Sequence, residues 1–429
     1  MQKQIFESEI GESYTLATLD NGLKIYICEK PQYTSAYAIF GTKYGSIDTR
    51  FSKNGGETVS VPEGIAHFLE HKLFESEDGD AFTKYAKTGA SANAFTSFDR
   101  TCYLFSCSDN FDENLDILLN FVQSPYFTKE TVEKEQGIIG QEIRMYDDSP
   151  SWRVLFNMLS AMYVNHPVKI DIAGTTDSIA KIDYDLLYKC YETFYNPSNM
   201  FICIAGNINA REVIKKIESS VVDRGEVNIQ RVGFDEPERI NKSYVEQSFP
   251  VLTPIFCFGF KQKITSPYRR LKSKICVELL LEIICGEASP LYKRLTEQGL
   301  INDEFDYEYF NGRDYAAVIF SGESENPKYV SEEIKKEIAN IREHGFDKKL
   351  FSAVKCAAYG DAVRRFNSVE TTAMQFSDCA VFDYNLFDQL KFLKTVSYDD
   401  VLKRIDIFDD SLSVLSVIKP LEGKADDNL

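Results

Sequence analysis

The pattern of strands and helices in roughly the first two hundred residues begins again after a charged stretch without periodicity, residues 222–245. One helix predicted over 63–75 and another over 276–286 lie about 210 residues apart. Each is followed some thirty residues later by two paired strands, which end in T-C-Y-L-F-S and in Y-A-A-V-I-F-S. The recurrence predicts two similar α/β halves, although few residues are identical between them.

Local patterns give the elements of these halves. Strands fill the first sixty residues, with a hairpin signal at N-G, and a short helix follows over 79–90. Two strands span 91–107, one strand spans 200–205, and another lies near 253–261. Helices are predicted over 110–124, 128–147, 150–163, 182–194 and about 268–285, and from about 209, 327, 346 and 367. A strand pair over 303–323 and a final strand S-L-S-V-L-S-V-I complete the second half. The predicted domains are 1–221 and 246–421, with 222–245 as the linker and 422–429 as a disordered tail.

Composition restricts the class of protein. A chain of 429 residues exceeds one ordinary core, and its net charge of −18 argues against nucleic acid and anionic membranes as partners. The longest apolar runs are about ten residues, and the first residues lack the features of a signal peptide. None of the ten cysteines forms a C-x-x-C pair, which favours reduced thiols in a cytoplasmic protein. A thiol nucleophile is the alternative, but no cysteine has a histidine near it in sequence.

Two of the four histidines, His67 and His71, lie four residues apart with Glu70 between them. Ser60, Pro62 and Glu63 predict a helix start with a capping box. On this helix the two imidazoles are offset by about 40° and point the same way, so both can bind one metal ion. Glu70 lies on that side and can accept a proton from a water molecule. The alternative is two histidines on a half-buried helix face, but H-x-x-E-H is the reverse of the zinc motif H-E-x-x-H.

A catalytic zinc ion needs a third protein ligand. Glu135 and Glu142 are seven residues apart and return to the same helix face after two turns. One carboxylate can bind the metal while the other accepts a hydrogen bond from a ligand imidazole. An ordinary solvated acidic face is the alternative for this pair. His166 and His344 are candidates by residue type, but neither lies in a helix of matching character.

Three motifs in order, E-G-I-A-H-F-L-E-H, G-A-S-A-N-A-F-T-S and E-K-E-Q-G-I-I-G-Q-E-I, closely resemble the insulinase/pitrilysin family of zinc peptidases, most of all its smaller bacterial members. The resemblance implies an α+β fold of two homologous subdomains, each a largely antiparallel sheet packed with helices, that face each other across a cavity. It implies one zinc ion per chain, bound by His67, His71 and Glu142, with Glu70 as general base and Glu135 supporting a ligand. It also implies a substrate-binding edge strand made of Ser91, Ala92, Asn93, Ala94 and Phe95.

The second half departs from the family pattern. Active members carry an arginine and a tyrosine, seven residues apart, that help to hold the substrate carbonyl. The matching positions here fall near Thr296 and at Asn302, while Arg294 and Tyr292 are close but out of register. Either these two stand in, or a partner supplies the pair. We expect a heterodimer with a related chain, and a homodimer is the main alternative.

These observations predict a cytoplasmic zinc endopeptidase that cuts short or unfolded peptides inside a closed chamber. A non-catalytic structural subunit of a peptidase-like complex is the alternative from another class, although such relatives usually lose a zinc residue. A maturation protease dedicated to one modified peptide also fits.

Overall fold

The computed structural model describes residues 1–77, 79–262 and 270–421. The predicted tail 422–429 and the first residues of the helix predicted from 268 lie outside these ranges. The chain forms two compact units, each assembled from three segments. Unit 1 comprises 1–143, 171–233 and 361–388, and unit 2 comprises 144–170, 234–360 and the residues from 389 onward.

The described strands are β1 (Gln2–Glu7), β2 (Ser13–Thr18), β3 (Lys24–Glu29), β4 (Ala36–Thr42), β5 (Arg50–Lys53), β6 (Val59–Ser60), β7 (Glu75–Ser76), β8 (Gly79–Asp80), β9 (Ser91–Thr96), β10 (Thr101–Cys107), β11 (Met200–Gly206), β12 (Ile229–Arg231), β13 (Tyr244–Phe249), β14 (Ile255–Lys261), β15 (Asp306–Asn311), β16 (Ala316–Glu323) and β17 (Ser413–Pro420). The described α-helices are α1 (Ile65–Leu73), α2 (Ala81–Thr88), α3 (Phe111–Gln123), α4 (Lys129–Asp147), α5 (Pro150–Met162), α6 (Thr176–Ile179), α7 (Tyr184–Phe194), α8 (Ala210–Ser220), α9 (Arg270–Cys285), α10 (Pro290–Glu297), α11 (Pro327–His344), α12 (Lys348–Arg364), α13 (Val369–Phe382), α14 (Asp388–Thr395) and α15 (Tyr398–Leu402).

The main sheets of the two units share a five-strand plan. In unit 1 the order is β1-β2-β3-β11-β4-β10-β9, with β3 and β11 parallel and the other neighbours antiparallel. In unit 2 the order is β13-β17-β14-β16-β15, with β13 and β17 parallel and the other neighbours antiparallel. The series β3-β11-β4-β10-β9 therefore matches β13-β17-β14-β16-β15 strand for strand. This match confirms the predicted α+β fold with two similar, largely antiparallel halves.

The central strands of unit 1 are apolar on both faces. Every residue of β4 and of β11 is buried. Their sequences, A-Y-A-I-F-G-T and M-F-I-C-I-A-G, lack the alternation of apolar and polar residues that is typical of a strand with one solvent-exposed face. At the end of the sheet, β9 is half exposed and more polar. The strand order places β9 at the margin of this sheet, beyond its buried central strands.

Each unit takes one helix from the other half of the sequence. Helix α5, from the first half, packs on β13, β14 and β17 of unit 2. Helix α13, from the second half, packs on β3, β4 and β11 of unit 1. The compact units therefore differ from the predicted domains 1–221 and 246–421, because these two helices occupy matching positions on each other's sheet.

The stretch predicted as a linker, 222–245, holds defined structure. It contains β12 and the first residues of β13, and between them the Glu236 carboxylate accepts hydrogen bonds from the backbone N–H groups of Val164, Asn165 and His166. The buried Lys261 ammonium pairs with the same carboxylate. Burial alone would raise the pKa of Glu236, but Lys261 and the three N–H groups lower it below its ordinary value. At least one charged residue of the predicted linker, Glu236, therefore forms hydrogen bonds and an ion pair inside unit 2.

None of the helices in the described part of the chain combines the length and the hydropathy that crossing a bilayer requires. All ten cysteines are free thiols, and every one except Cys356 is buried.

Candidate metal centre

Helix α1 carries the two histidines and begins at Ile65, after a left-handed residue. Gly64 precedes it with φ of 86°, no side chain caps the helix, and Ser60 belongs to β6. The predicted capping box at Ser60 and Glu63 is therefore wrong. The start of the helix is held instead by Ser178, whose Oγ donates a hydrogen bond to the carbonyl of Glu63 at 2.8 Å.

Two glycines allow this close contact. A Cβ on Gly64 would lie 2.4 Å from the carbonyl oxygen of Ala173, and a Cβ on Gly174 would lie 2.6 Å from that of Glu63. Both glycines have positive φ, of 86° and 78°, which disfavours any other residue. The loop that follows Ala173 is thereby fixed against the N-terminus of the histidine helix, and it sets where that helix begins.

His67, His71 and Glu142 come together in unit 1. One ligand atom from each lies within 4.8 Å of the others, and the two imidazole centroids are 4.5 Å apart. His67 Nε2 is 3.7 Å from Glu142 Oε1, and His71 Nε2 is 3.4 Å from Glu142 Oε2. Ligands about 2.0–2.1 Å from a tetrahedral zinc ion are about 3.4 Å from one another. The donor set and its spacing therefore fit one zinc ion.

Glu135 supports His71. Its Oε1 lies 3.0 Å from His71 Nδ1, and because a carboxylate only accepts, the Nδ1–H must be the donor. In this tautomer the lone pair of His71 Nε2 is available to a metal ion. Helix spacing alone had left open which of the two glutamates would accept the hydrogen bond from a ligand imidazole. His67 has no such support, because its buried Nδ1 lacks a hydrogen-bond partner among the described residues.

Electrostatics differ between the two imidazoles. Burial, with a smaller effect of His71, lowers the pKa of His67 to about 3, so its ring is neutral and can act as a ligand. Burial alone would lower the pKa of His71, but the hydrogen bond to Glu135 and the carboxylates of Glu70 and Glu142 outweigh burial and raise it. Proton and metal thus compete for His71 Nε2.

Glu70 is 8% exposed and lies on the same helix. Thr96 Oγ1 donates a hydrogen bond to Glu70 Oε2 at 2.7 Å. Burial raises the pKa of the Glu70 carboxyl, while the Thr96 hydroxyl and its backbone N–H act in the opposite direction. A buried carboxyl whose pKa is raised by burial is suited to act as a general base. Sequence analysis missed Thr96, although it belongs to the motif S-A-N-A-F-T-S.

Strand β9 forms a margin of its sheet, and among the described strands only β10 pairs with it. Ser97 N–H donates to the carbonyl of Arg100 across the turn, so alternation directs the backbone groups of Ala92 and Ala94 away from β10. The outward N–H of Ala94 donates to the Asn93 side chain at 2.8 Å. The predicted edge strand therefore turns main-chain groups of Ala92 and Ala94 away from β10, on the strand that also carries Thr96.

Arg100 anchors the turn that joins β9 to β10. Its guanidinium donates to Ser377 Oγ at 2.8 Å and pairs with Asp378 at 2.6 Å. Ser377 and Asp378 lie on α13, so the second half of the sequence fixes the position of the edge strand within unit 1. No local pattern in the sequence marks Arg100 for this role.

The other two histidines lie outside the candidate centre. His166 Nδ1 accepts a hydrogen bond from the N–H of Val168, and its Nε2 lies 3.2 Å from Asp314. His344 is exposed at the end of α11. Among the described residues, the potential metal-binding group contains neither of them.

The residues near the missing arginine and tyrosine positions have contacts of their own in unit 2. Arg294 on α10 lies 3.4 Å from Glu333 and 3.6 Å from Glu337, both on α11. Tyr292 packs near the ring of Phe305. Thr296 is exposed on α10, and the amide of Asn302 donates to Glu323 at 2.9 Å. Arg294 is thus already engaged by two carboxylates.

Comparison with known sequence families gives two matches. The family described as Insulinase (Peptidase family M16) matches residues 59–176, which include the candidate metal centre. The domain described as Peptidase M16 inactive domain matches residues 181–357, which lack the histidine motif.

Individual relatives cover nearly the whole chain. A Bacillus subtilis (strain 168) protein named uncharacterized zinc protease YmfH is 41% identical over 428 residues, 97% of this chain and 99% of the relative. The crystal structure of a candidate M16-like peptidase from Alicyclobacillus acidocaldarius superposes with a TM-score of 0.93 at 32% identity, covering 97% of this chain and 100% of that one. A protease structure from Helicobacter pylori has a TM-score of 0.83 at 20% identity, covering 97% of this chain and 100% of that one, and shares the fold.

Proposed function

Because this chain belongs to the insulinase family (peptidase family M16), we propose that it is a zinc-dependent endopeptidase that hydrolyses short or unfolded peptides. The observation that carries the proposal is the convergence of His67, His71 and Glu142 at zinc-ligand spacing, beside a buried Glu70 that contacts the edge strand. The close relatives are named zinc proteases, which supports zinc as the metal, and we propose one ion per chain.

Each side chain has a distinct part in the proposed reaction. A zinc ion held by His67, His71 and Glu142 would polarise the scissile carbonyl and lower the pKa of a water molecule. Glu70 accepts the proton of the attacking water and then delivers it to the leaving amine. The attack forms a C–O bond and the collapse breaks the C–N bond. Glu135 keeps the His71 ring in the required tautomer.

The substrate binds as an added strand on β9. Main-chain groups of Ala92 and Ala94 pair with an extended peptide, which gives affinity with little dependence on its sequence. Ser91, Asn93 and Phe95 complete the strand, and Asn93 turns its amide from Ala94 to a substrate carbonyl. Only a segment without its own backbone hydrogen bonds can pair in this way. This requirement selects short or unfolded peptides, and the enclosed chamber that the family resemblance implies would exclude folded proteins by size.

A related partner chain supplies the arginine and tyrosine that the second half lacks. The support is that both candidate substitutes have contacts of their own: Arg294 pairs with Glu333 and Glu337, and Tyr292 packs near the ring of Phe305. We expect the pure chain to cleave peptides slowly and to gain activity with a related chain that carries the pair. Sedimentation mass and turnover of a mixed peptide library, before and after mixing, check this. Full activity of the pure monomer or homodimer contradicts it.

The proposed compartment is the cytoplasm. Ten free cysteines, nine of them buried, are typical of a reducing environment. Cell fractionation with an antibody against this chain tests the location, and recovery in a secreted or periplasmic fraction contradicts it.

Removing the metal tests the function itself. Dialysis against a chelator should abolish peptide cleavage, and one equivalent of zinc should restore it, because three protein ligands leave a position for catalysis. Magnesium is the control, since it prefers oxygen ligands and octahedral geometry and should restore nothing. A chain that neither binds zinc nor cleaves any peptide would instead be a structural subunit.

A further inference from the structure

The contact between Thr96 and Glu70 joins the edge strand to the proposed general base. Glu70 Oε2 accepts from Thr96 Oγ1 at 2.7 Å, and the Glu70 side chain is buried. An ionised carboxylate has no proton to give, so Thr96 must be the donor. The Thr96 hydroxyl thus restrains the Glu70 carboxylate at one of its two oxygens.

A second hydroxyl restrains Thr96 itself. Thr101 lies opposite Thr96 in the β9–β10 register, and their hydroxyl oxygens are 3.4 Å apart. Thr101 Oγ1 donates its own proton to the carbonyl of Tyr44 at 2.9 Å. Thr101 and Tyr44 are fully buried. Because the Thr101 proton is committed to a backbone oxygen, the Thr96 proton is left to Glu70.

We infer that Thr96 is a positioning residue that fixes the Glu70 carboxylate at the angle needed for proton transfer. This inference rests on the proposed function. Proton transfer is sensitive to geometry, and a displacement of about 1 Å can cost about 100-fold in rate. A peptide pairing with Ala92 and Ala94 lies on the strand that carries Thr96, so one strand positions both the substrate and the hydroxyl that contacts Glu70.

Thr96→Val tests the inference, because valine keeps the shape and removes the hydroxyl. We expect kcat to fall by about 10–100-fold with KM nearly unchanged, since the change affects proton transfer and not strand pairing. Thr96→Ser should recover most of the loss, because serine restores the donor. Thr395→Val, the same change at an exposed helix position, is the matched control.

Two measurements distinguish a change in the position of Glu70 from a loss of zinc. Chelator competition should give Thr96→Val the zinc affinity of the wild type, because the described hydrogen bonds of the Thr96 hydroxyl involve Glu70 and Thr101 and not the three ligands. A crystal structure of metal-free Thr96→Val should show the Glu70 carboxylate out of its wild-type position. Glu70 unmoved, or wild-type kcat in Thr96→Val when the wild type is active, overturns the inference alone. A wild type that binds zinc but cleaves no peptide overturns the proposed function and the inference with it.

Discussion

The Glu70→Gln chain should bind zinc as well as the wild type and lose about 10²- to 10⁴-fold in kcat, the range that a general base contributes. Glutamine has the size of glutamate, and its carbonyl can still accept the hydrogen bond from Thr96. What it cannot do is take a proton from water. The measurement is zinc per chain by atomic absorption, together with turnover of a peptide library.

The control for this result is Glu133→Gln, the same change at an exposed position of α4. It should leave both zinc content and turnover at wild-type values. Near-normal turnover of Glu70→Gln would remove Glu70 from its role. Loss of zinc from the same variant would mean that Glu70 stabilises the metal centre and would leave its part in proton transfer without support.

The two glutamates of α4 should differ in their effect on zinc. Glu142→Gln removes an anionic ligand, and we expect its zinc affinity to fall by more than about 100-fold. Glu135→Gln disturbs only the tautomer and orientation of His71, and loss of such an outer partner costs about 10–100-fold. Competition with a chromophoric chelator at fixed pH measures both variants.

The two variants can also be compared by the effect of zinc on their melting temperatures. Zinc that binds only the folded chain raises the melting temperature, and this rise should be smallest in Glu142→Gln. A larger loss of zinc affinity in Glu135→Gln than in Glu142→Gln would reverse the two roles. Equal and small losses in both would mean that the carboxylates form an ordinary acidic helix face, as the sequence alone allowed.

The parts of the candidate metal centre that could be predicted from the sequence are those that depend on residue spacing within a single helix. His67 and His71 share a face of α1, and Glu135 and Glu142 share a face of α4, because positions four and seven apart return to the same side. Which of the two glutamates meets the metal depends on how α1 and α4 lie against each other within unit 1. Only the family resemblance assigned Glu142 to the metal. In the structure Glu142 lies 3.4 Å from His71 Nε2 and Glu135 lies 3.0 Å from His71 Nδ1, and the two roles stay a prediction.

The features that were missed depend on contacts between distant segments. The start of α1 is set by Ser178 and not by its own Ser60, so a local capping pattern was misleading. Arg100 reaches Ser377 and Asp378, residues more than 270 positions away. Helices α5 and α13 were predicted as helices, but an amphipathic pattern does not specify which sheet a helix will cover.

The exchange of α5 and α13 has a consequence during protein synthesis. Helix α13 packs on the central strands of unit 1 and holds Arg100, yet it emerges from the ribosome long after the histidine motif. The apolar surface of β4 and β11 stays incompletely covered until residue 382 has been translated. A premature stop after residue 142 and before residue 382 would therefore release a chain that contains every proposed zinc ligand and still lacks a complete unit 1.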